Sequence, residues 1–256
     1  MGGGRGGQLL LPAAGMKPTR CYSPSMFADE NEIHIWIFPT DVSGARCAEL
    51  RALLSPEELV RADRFVAEID RVRFIASHGV MRIQLASYCS AQPQSLAFGA
   101  GPQGKPYLQQ PASPLHFNLS HSGNRAALAV TRGARCGVDI QKVRPVADRE
   151  IAERFFCANE TRWLKSLPSG ERNHGLFRLW SVKESILKAS GTGMRQPLSS
   201  VDASKVLENG PQRGTLLESG NAASFWVQEL DVAEGYTCAI AVEGNNPGIR
   251  VSQLEG

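Results

Sequence analysis

Strand-like and helix-like segments follow one another in this chain without regular alternation, and that order constrains its fold more than any other feature. Residues 32–38 (EIHIWIF) alternate polar and apolar side chains, the period-2 pattern of a half-buried strand. Ser55-Pro56-Glu57-Glu58 then supplies a helix N-cap, a proline at the first helical position and acidic groups in the first turn. The helix predicted there passes Arg61, Arg64 and Phe65 and breaks. It resumes over 70–87, where Phe74, Ile75, Val80, Met81 and Leu85 form an apolar stripe. Residues 99–114 read as a glycine- and proline-punctuated loop, 115–119 and 125–130 as a hairpin, and 136–140 as a short strand. Helices are expected over 148–156 and 160–164, a loop over 166–175, and a helix over 176–190 closed by Gly191. Segments 224–230 and 236–242 end the series as antiparallel strands.

Parallel sheets need regular strand–helix–strand units, so the expected class is α+β. A length of 256 residues, at about 150 per domain, allows one large or two small domains. The boundary is placed at 133/134, giving an N-terminal half over 31–133, a C-terminal half over 134–246 and a tail over 247–256. Residues 1–30, rich in Gly and Pro, read as a disordered extension or a mis-called start, with Met16 and Met26 as later candidates. No window approaches 18 consecutive apolar residues, and the apolar run over 9–14 is interrupted by Pro12 and too short for a signal segment. A cytoplasmic location with no membrane partner is therefore expected. The six cysteines form no C-x-x-C pair and read as isolated thiols. A net charge of +3 with interspersed signs points to no nucleic-acid partner, although it permits local anion sites.

Two familiar motifs fail on context. The run from Gly99 to Pro106 (GAGPQGKP) matches G-x-G-x-x-G and nearly matches a phosphate-binding P-loop, but Pro106 has no hydroxyl for a metal and no helix follows. It reads as a glycine-rich turn, with Lys105 as a possible phosphate contact. Ser120, His121 and Asp139 suggest a hydrolase triad, but neighbouring residues on a strand face opposite ways and no G-x-S-x-G elbow exists. The informative cluster is spread over FNLSHSG (117–123), GVDIQ (137–141) and WSVKESILK (180–188). In the last, Trp180, Glu184 and Lys188 share one helical face, which alone could be a surface ion pair worth a few tenths of a kcal/mol. Asp139 could likewise cap a strand end. Brought together, Asp139 and Glu184 would make an oxygen-rich site suited to a hard divalent cation and a phosphate substrate.

The succession G-K-P, F-N-L-S-H-S, G-V-D-I and W-S-V-K-E-S-x-x-K closely resembles the Sfp-type 4′-phosphopantetheinyl transferases, over roughly residues 31–245. The resemblance implies two pseudo-symmetric halves, each a small antiparallel sheet packed with helices, with the substrate in the cleft between them. It implies transfer of the phosphopantetheine arm of coenzyme A to a serine of an apo acyl or peptidyl carrier protein, with Mg²⁺, by a monomer. Asp139 and Glu184 would hold Mg²⁺, Glu184 would also be the base, and Lys188 would contact phosphate. Arg61, Gly104, Lys105, Pro106, Asn118, Ser120 and His121 would hold the nucleotide end. Gln141 departs from the acidic residue that many members carry there; its amide oxygen could ligate Mg²⁺ directly or through water, but without charge. The rival reading is a non-catalytic CoA- or carrier-binding module of the same fold. A pure binder would not require a base and metal ligands together.

Overall fold

The computed structural model describes residues 31–146, 154–192, 196–218 and 221–255. The extension 1–30 and most of the helix expected over 148–156 lie outside these residues. Strand β1 (Glu32–Pro39) is buried along nearly its whole length. Its alternation sorts side chains between two apolar surroundings instead of between core and water. Trp36 and Phe38 face Leu50, Phe74 and Leu85, while Ile33, Ile35 and Ile37 face Val138, Ile140 and Ile240 of the other half. The polar members of the pattern are satisfied internally: His34 Nδ1 lies 2.7 Å from the Tyr88 hydroxyl, which also accepts from Trp36 Nε1 at 3.1 Å.

Three helices cover the outer face of this first sheet: α1 (Gly44–Arg51), α2 (Pro56–Asp63) and α3 (Glu68–Cys89). The start of α2 is the capping box that its sequence announces, with Ser55 Oγ accepting from the Glu58 amide and the Glu58 carboxylate accepting from the Ser55 amide. The stretch expected as a loop over 99–114 contains strand residues instead. β2 (Ala97–Ala100) and β3 (Pro106–Gln110) form a two-stranded ribbon whose glycine-rich turn masked two short partners. β4 (Leu115–Ser122) and β5 (Arg125–Arg132) then pair as the predicted hairpin.

The second half contributes β6 (Cys136–Lys142), α4 (Ala158–Ser166), α5 (Ser169–Ser190), α6 (Ser204–Asn209), β7 (Gln212–Glu218), β8 (Asn221–Leu230) and β9 (Tyr236–Glu243). Its sheet runs β6-β9-β8-β7, antiparallel throughout. The loop expected over 166–175 is largely the first turns of α5. Gly175, the last residue of that expected loop, is a packing glycine: a Cβ there would lie 2.5 Å from Leu167 Cδ1. The expected tail also proves structured, since β10 (Gly248–Gln253) pairs in parallel with β1 and gives the first sheet the order β10-β1-β5-β4. Such long-range parallel pairing leaves no local pattern.

The architecture is α+β, with two sheets face to face and helices outside each. α5 crosses β6 so closely that a Cβ on Gly137 would lie 2.2 Å from the Ser185 carbonyl oxygen and 2.3 Å from the Ala189 nitrogen. Gly137→Ala should therefore destabilise the protein by about 1–3 kcal/mol through overpacking, lowering Tm by several degrees. Gly44→Ala, at a helical position where nothing lies within 4 Å, should not lower Tm and should stabilise by up to about 1 kcal/mol.

Candidate active site

β4 and β6 belong to different sheets, yet they meet through a ladder of side chains on backbone. Asn118 Oδ1 accepts from the Val138 amide at 2.8 Å, Ser120 Oγ from Ile140 at 3.3 Å and Ser122 Oγ from Lys142 at 3.0 Å. Alternate residues of one strand thus bond alternate residues of the other, as period 2 requires. The intervening residues of β4 point the opposite way: Phe117 packs into the core beneath α3, and His121 lines a cleft.

On the β6 side of this ladder Asp139 is almost fully enclosed, at 1% exposure. One of its oxygens accepts from Lys188 Nζ at 2.5 Å and Ser120 Oγ at 3.0 Å, and the other from Gln141 Nε2 at 3.0 Å. Lys188 also donates to Ser120 Oγ at 3.0 Å. Trp180, Glu184 and Lys188 form a half-open stripe along α5, as their spacing predicts. Burial, and then the charge of Asp139, raise the pKa of Glu184 above the ordinary carboxylate value, with Lys188 opposing them. One fully buried carboxylate, one partly buried carboxylate and a nearby ammonium therefore converge here.

The other face of β4 borders a cleft of 620 Å³, lined by Arg61 of α2, His78 of α3, Phe98, Gly104 and Pro106 of the ribbon segment, and His121. Every lining residue lies between Ser55 and His121, so this cleft belongs to the first half of the chain. Lys188 joins the two sides electrostatically: burial lowers the pKa of His121, and Lys188 is the next cause.

Arg61, Gly104, Pro106 and His121 therefore share the cleft, while Asp139, Gln141, Glu184, Lys188 and Ser120 cluster on the opposite side of β4. Two residues expected to hold the nucleotide end have other partners in this structure. Lys105 turns its ammonium away from the cleft, donating to the carbonyls of Cys136 at 2.8 Å, Lys188 at 2.6 Å and Ala189 at 3.4 Å. It caps the C-terminal end of α5, where a cation meets the negative pole of the helix. Asn118 is buried in the ladder and its oxygen is taken by the Val138 amide, so its side chain joins the two sheets.

Two roles escaped the sequence. Lys183, inside the W-S-V-K-E-S block, is completely buried and bonds Glu160 at 2.5 and 2.6 Å and the Val201 carbonyl at 2.5 Å. The triplet Cys157, Glu160 and Asp202 has metal-like proximity. Yet Glu160 already accepts from Lys183 and from the Cys157 and Ala203 amides, and burial raises the Cys157 thiol pKa. A soft, protonated sulfur beside a neutralised carboxylate is a poor partner for a hard cation. His78 is the second: its ring stacks on Phe74 at 3.9 Å and its pKa is pushed down to about 3, first by burial and then by Arg61. Only its position on the cleft-facing turn of α3 could have signalled it.

Two family profiles match the chain: the 4′-phosphopantetheinyl transferase superfamily over residues 135–241, and the N-terminal region of 4′-phosphopantetheinyl transferases over 43–133. The chain is 38% identical over 174 residues to the 4′-phosphopantetheinyl transferase HetI of a Nostoc species, covering 67% of this chain and 73% of that protein. It is 34% identical to psf-1 of Bacillus pumilus, covering 80% of this chain and 87% of the relative. It is 29% identical to Sfp of Bacillus subtilis, covering 74% and 82% respectively. The chain belongs to the 4′-phosphopantetheinyl transferase family.

Asn118→Ala should strand the buried Val138 amide, at a cost of about 1–3 kcal/mol in denaturant unfolding, while the KM for coenzyme A stays within about twofold. A large KM change at unaltered stability would return Asn118 to the nucleotide site. His78 supplies a pH test. Its folded pKa lies below the unfolded value near 6.5, so its contribution to stability is complete above pH 6.5 and is lost as pH falls toward 3. Replacing it by Gln should remove about 1.4 kcal/mol per pH unit of slope in that window, read from urea midpoints.

Proposed function

We propose that this chain transfers the 4′-phosphopantetheine arm of coenzyme A to a serine hydroxyl of an apo acyl or peptidyl carrier protein, releasing adenosine 3′,5′-bisphosphate. One observation carries the reading: Lys188 pairs with Asp139 on one side of β4 and acts electrostatically on His121, which lines the basic cleft on the other. A nucleotide held by Arg61 and His121 would thus present its pyrophosphate at the edge of β4, beside Glu184 and Asp139.

The donor set fits Mg²⁺. Asp139 and Glu184 are hard oxygen donors, and the Asp139 charge helps to raise the Glu184 pKa, a repulsion that a bound cation would relieve. Asp139 and Glu184 would hold the ion, which when bound neutralises charge on the pyrophosphate oxygens. Gln141 now turns its amide nitrogen to Asp139, and would offer oxygen to a cation only with that amide reversed. Glu184 is the group suited to accept the serine proton, since its raised pKa makes it a stronger base than an ordinary carboxylate. Lys188 supplies positive charge to the departing phosphate. Gly104 and Pro106 line the cleft in which the nucleotide end would sit.

No helix among the described residues is long and apolar enough to cross a membrane. A cytoplasmic monomer, whose own halves face each other through the ladder, is the form we assign. A non-catalytic binding module would not require Glu184 and Asp139 to be set beside Lys188.

Incubation with CoA, Mg²⁺ and a panel of apo-carriers should add the mass of one phosphopantetheine arm to the acceptor serine. Absence of any increment would support the binding module. Asp139→Ala and Glu184→Gln should each lower turnover by at least about 10²-fold with the fold intact by circular dichroism. Gln141→Glu should lower the Mg²⁺ concentration needed for half-maximal rate, because it adds a negative oxygen. His121→Ala should raise the KM for CoA far more than that for 3′-dephospho-CoA.

A further inference from the structure

The basic cleft contains a group that the reaction outlined above leaves unused. His78 sits mid-helix on α3 and lines the cleft together with Arg61 and His121. Its ring is held in place: Nδ1 lies 3.1 Å from the Phe74 carbonyl, and the ring stacks on the Phe74 side chain with centroids 3.9 Å apart. A carbonyl oxygen only accepts, so Nδ1 carries the hydrogen and Nε2 of the neutral ring is left as an acceptor. The Arg61 guanidinium lies over the same Phe74 ring, 5.2 Å from its centroid. Arg82 also lines the cleft, but its guanidinium is bound to Glu58 at 2.7 Å and to the Pro93 and Leu96 carbonyls. Of the carboxylates at the cleft, Glu58 is thereby neutralised, and Glu57 is exposed at the N-terminus of α2.

We infer that His78 is a further ligand of the phosphate monoester that enters the basic end of this cleft, and that the phosphate binds there together with one proton shared between its oxygen and His78 Nε2. The inference rests on the reading of the cleft as a nucleotide site. Burial and then the Arg61 charge, with smaller effects of the basic groups His121 and Arg82, keep the ring neutral. A phosphate dianion has acceptors only, so its oxygen and Nε2 repel unless a hydrogen lies between them. The phosphate charge offsets the same cations that keep the ring neutral, and its own second pKa is near 6, so both partners favour one proton in the bound state. That proton comes from solvent; no covalent bond forms or breaks. His78 thereby distinguishes a terminal phosphate monoester from a diester, because only the monoester has a second pKa near 6 and can take up the shared proton.

The test is calorimetric titration of adenosine 3′,5′-bisphosphate into the full chain at pH 7.5, in buffers of different ionisation heat, so that proton uptake is measured directly. Wild type should take up between about half a proton and one proton per bisphosphate, and its affinity should strengthen as pH is lowered to 6.5. His78→Gln, whose amide can donate without a proton, should keep affinity within about fivefold and lose most of the uptake. His78→Leu should weaken binding by about tenfold or more. His121→Ala should weaken binding while keeping the uptake. Binding by wild type with no uptake, or equal uptake in wild type and His78→Gln, would overturn the role of His78. Failure of wild type to bind the bisphosphate at all would overturn the nucleotide reading of the cleft, and this inference with it.

Discussion

Three β4 side chains, Asn118, Ser120 and Ser122, hydrogen-bonded to three β6 amides set the register on which the candidate site depends. Two sheets that met only through apolar side chains could slide by a residue at little cost, since hydrophobic contact is non-directional. Hydrogen bonds are directional, and a buried amide left without a partner costs about 1–3 kcal/mol. The ladder therefore places Ser120 beside Asp139 and leaves His121, one residue on, facing the cleft. The close approach of α5 at Gly137 adds the third member, bringing Glu184 and Lys188 over the same strand.

Three lysines near this junction have different tasks, and burial explains the division. Lys183 is fully enclosed with Glu160, a pair whose desolvation is offset by a further hydrogen bond from Lys183 to the Val201 carbonyl and by bonds from the Cys157 and Ala203 amides to Glu160. It ties α5 to α4. Lys105 reaches across from the first half to the C-terminal carbonyls of the same helix. With α5 held at both levels, Lys188 keeps part of its side chain open, at 27% exposure, beside Asp139. A helix anchored in this way can hold a carboxylate and an ammonium at fixed separation without relying on their own weak mutual attraction.

Much of this was legible in advance. The capping box at Ser55, the 115–130 hairpin and the Trp180, Glu184, Lys188 stripe are all local patterns, and local patterns survive in the chain order. What was misread shares one cause. Glycines at 99–104 look like loop punctuation but turn a ribbon, and Gly175, at the end of an expected loop, lies in a helix and admits a neighbouring leucine. β1 looked half-exposed because periodicity reports that two faces differ, not that one of them meets water. β10 was invisible because its partner lies more than 200 residues away.

By itself, the sequence determined the mixed α+β class, the helix carrying Glu184 and Lys188, and the residue types that point to a divalent cation and a phosphate. Those follow from period, capping and donor chemistry, all properties of neighbours along the chain. The tertiary structure alone decided which polar residues build and which remain available. Asn118 and Lys105 carry the same chemistry as ligands would, yet a backbone amide and three carbonyls from distant segments take them up. His78, an unremarked position in a helical stripe, is left facing a basic cleft. Hydrogen-bonding capacity is written in the sequence, but its use depends on which partners the fold brings within 3 Å.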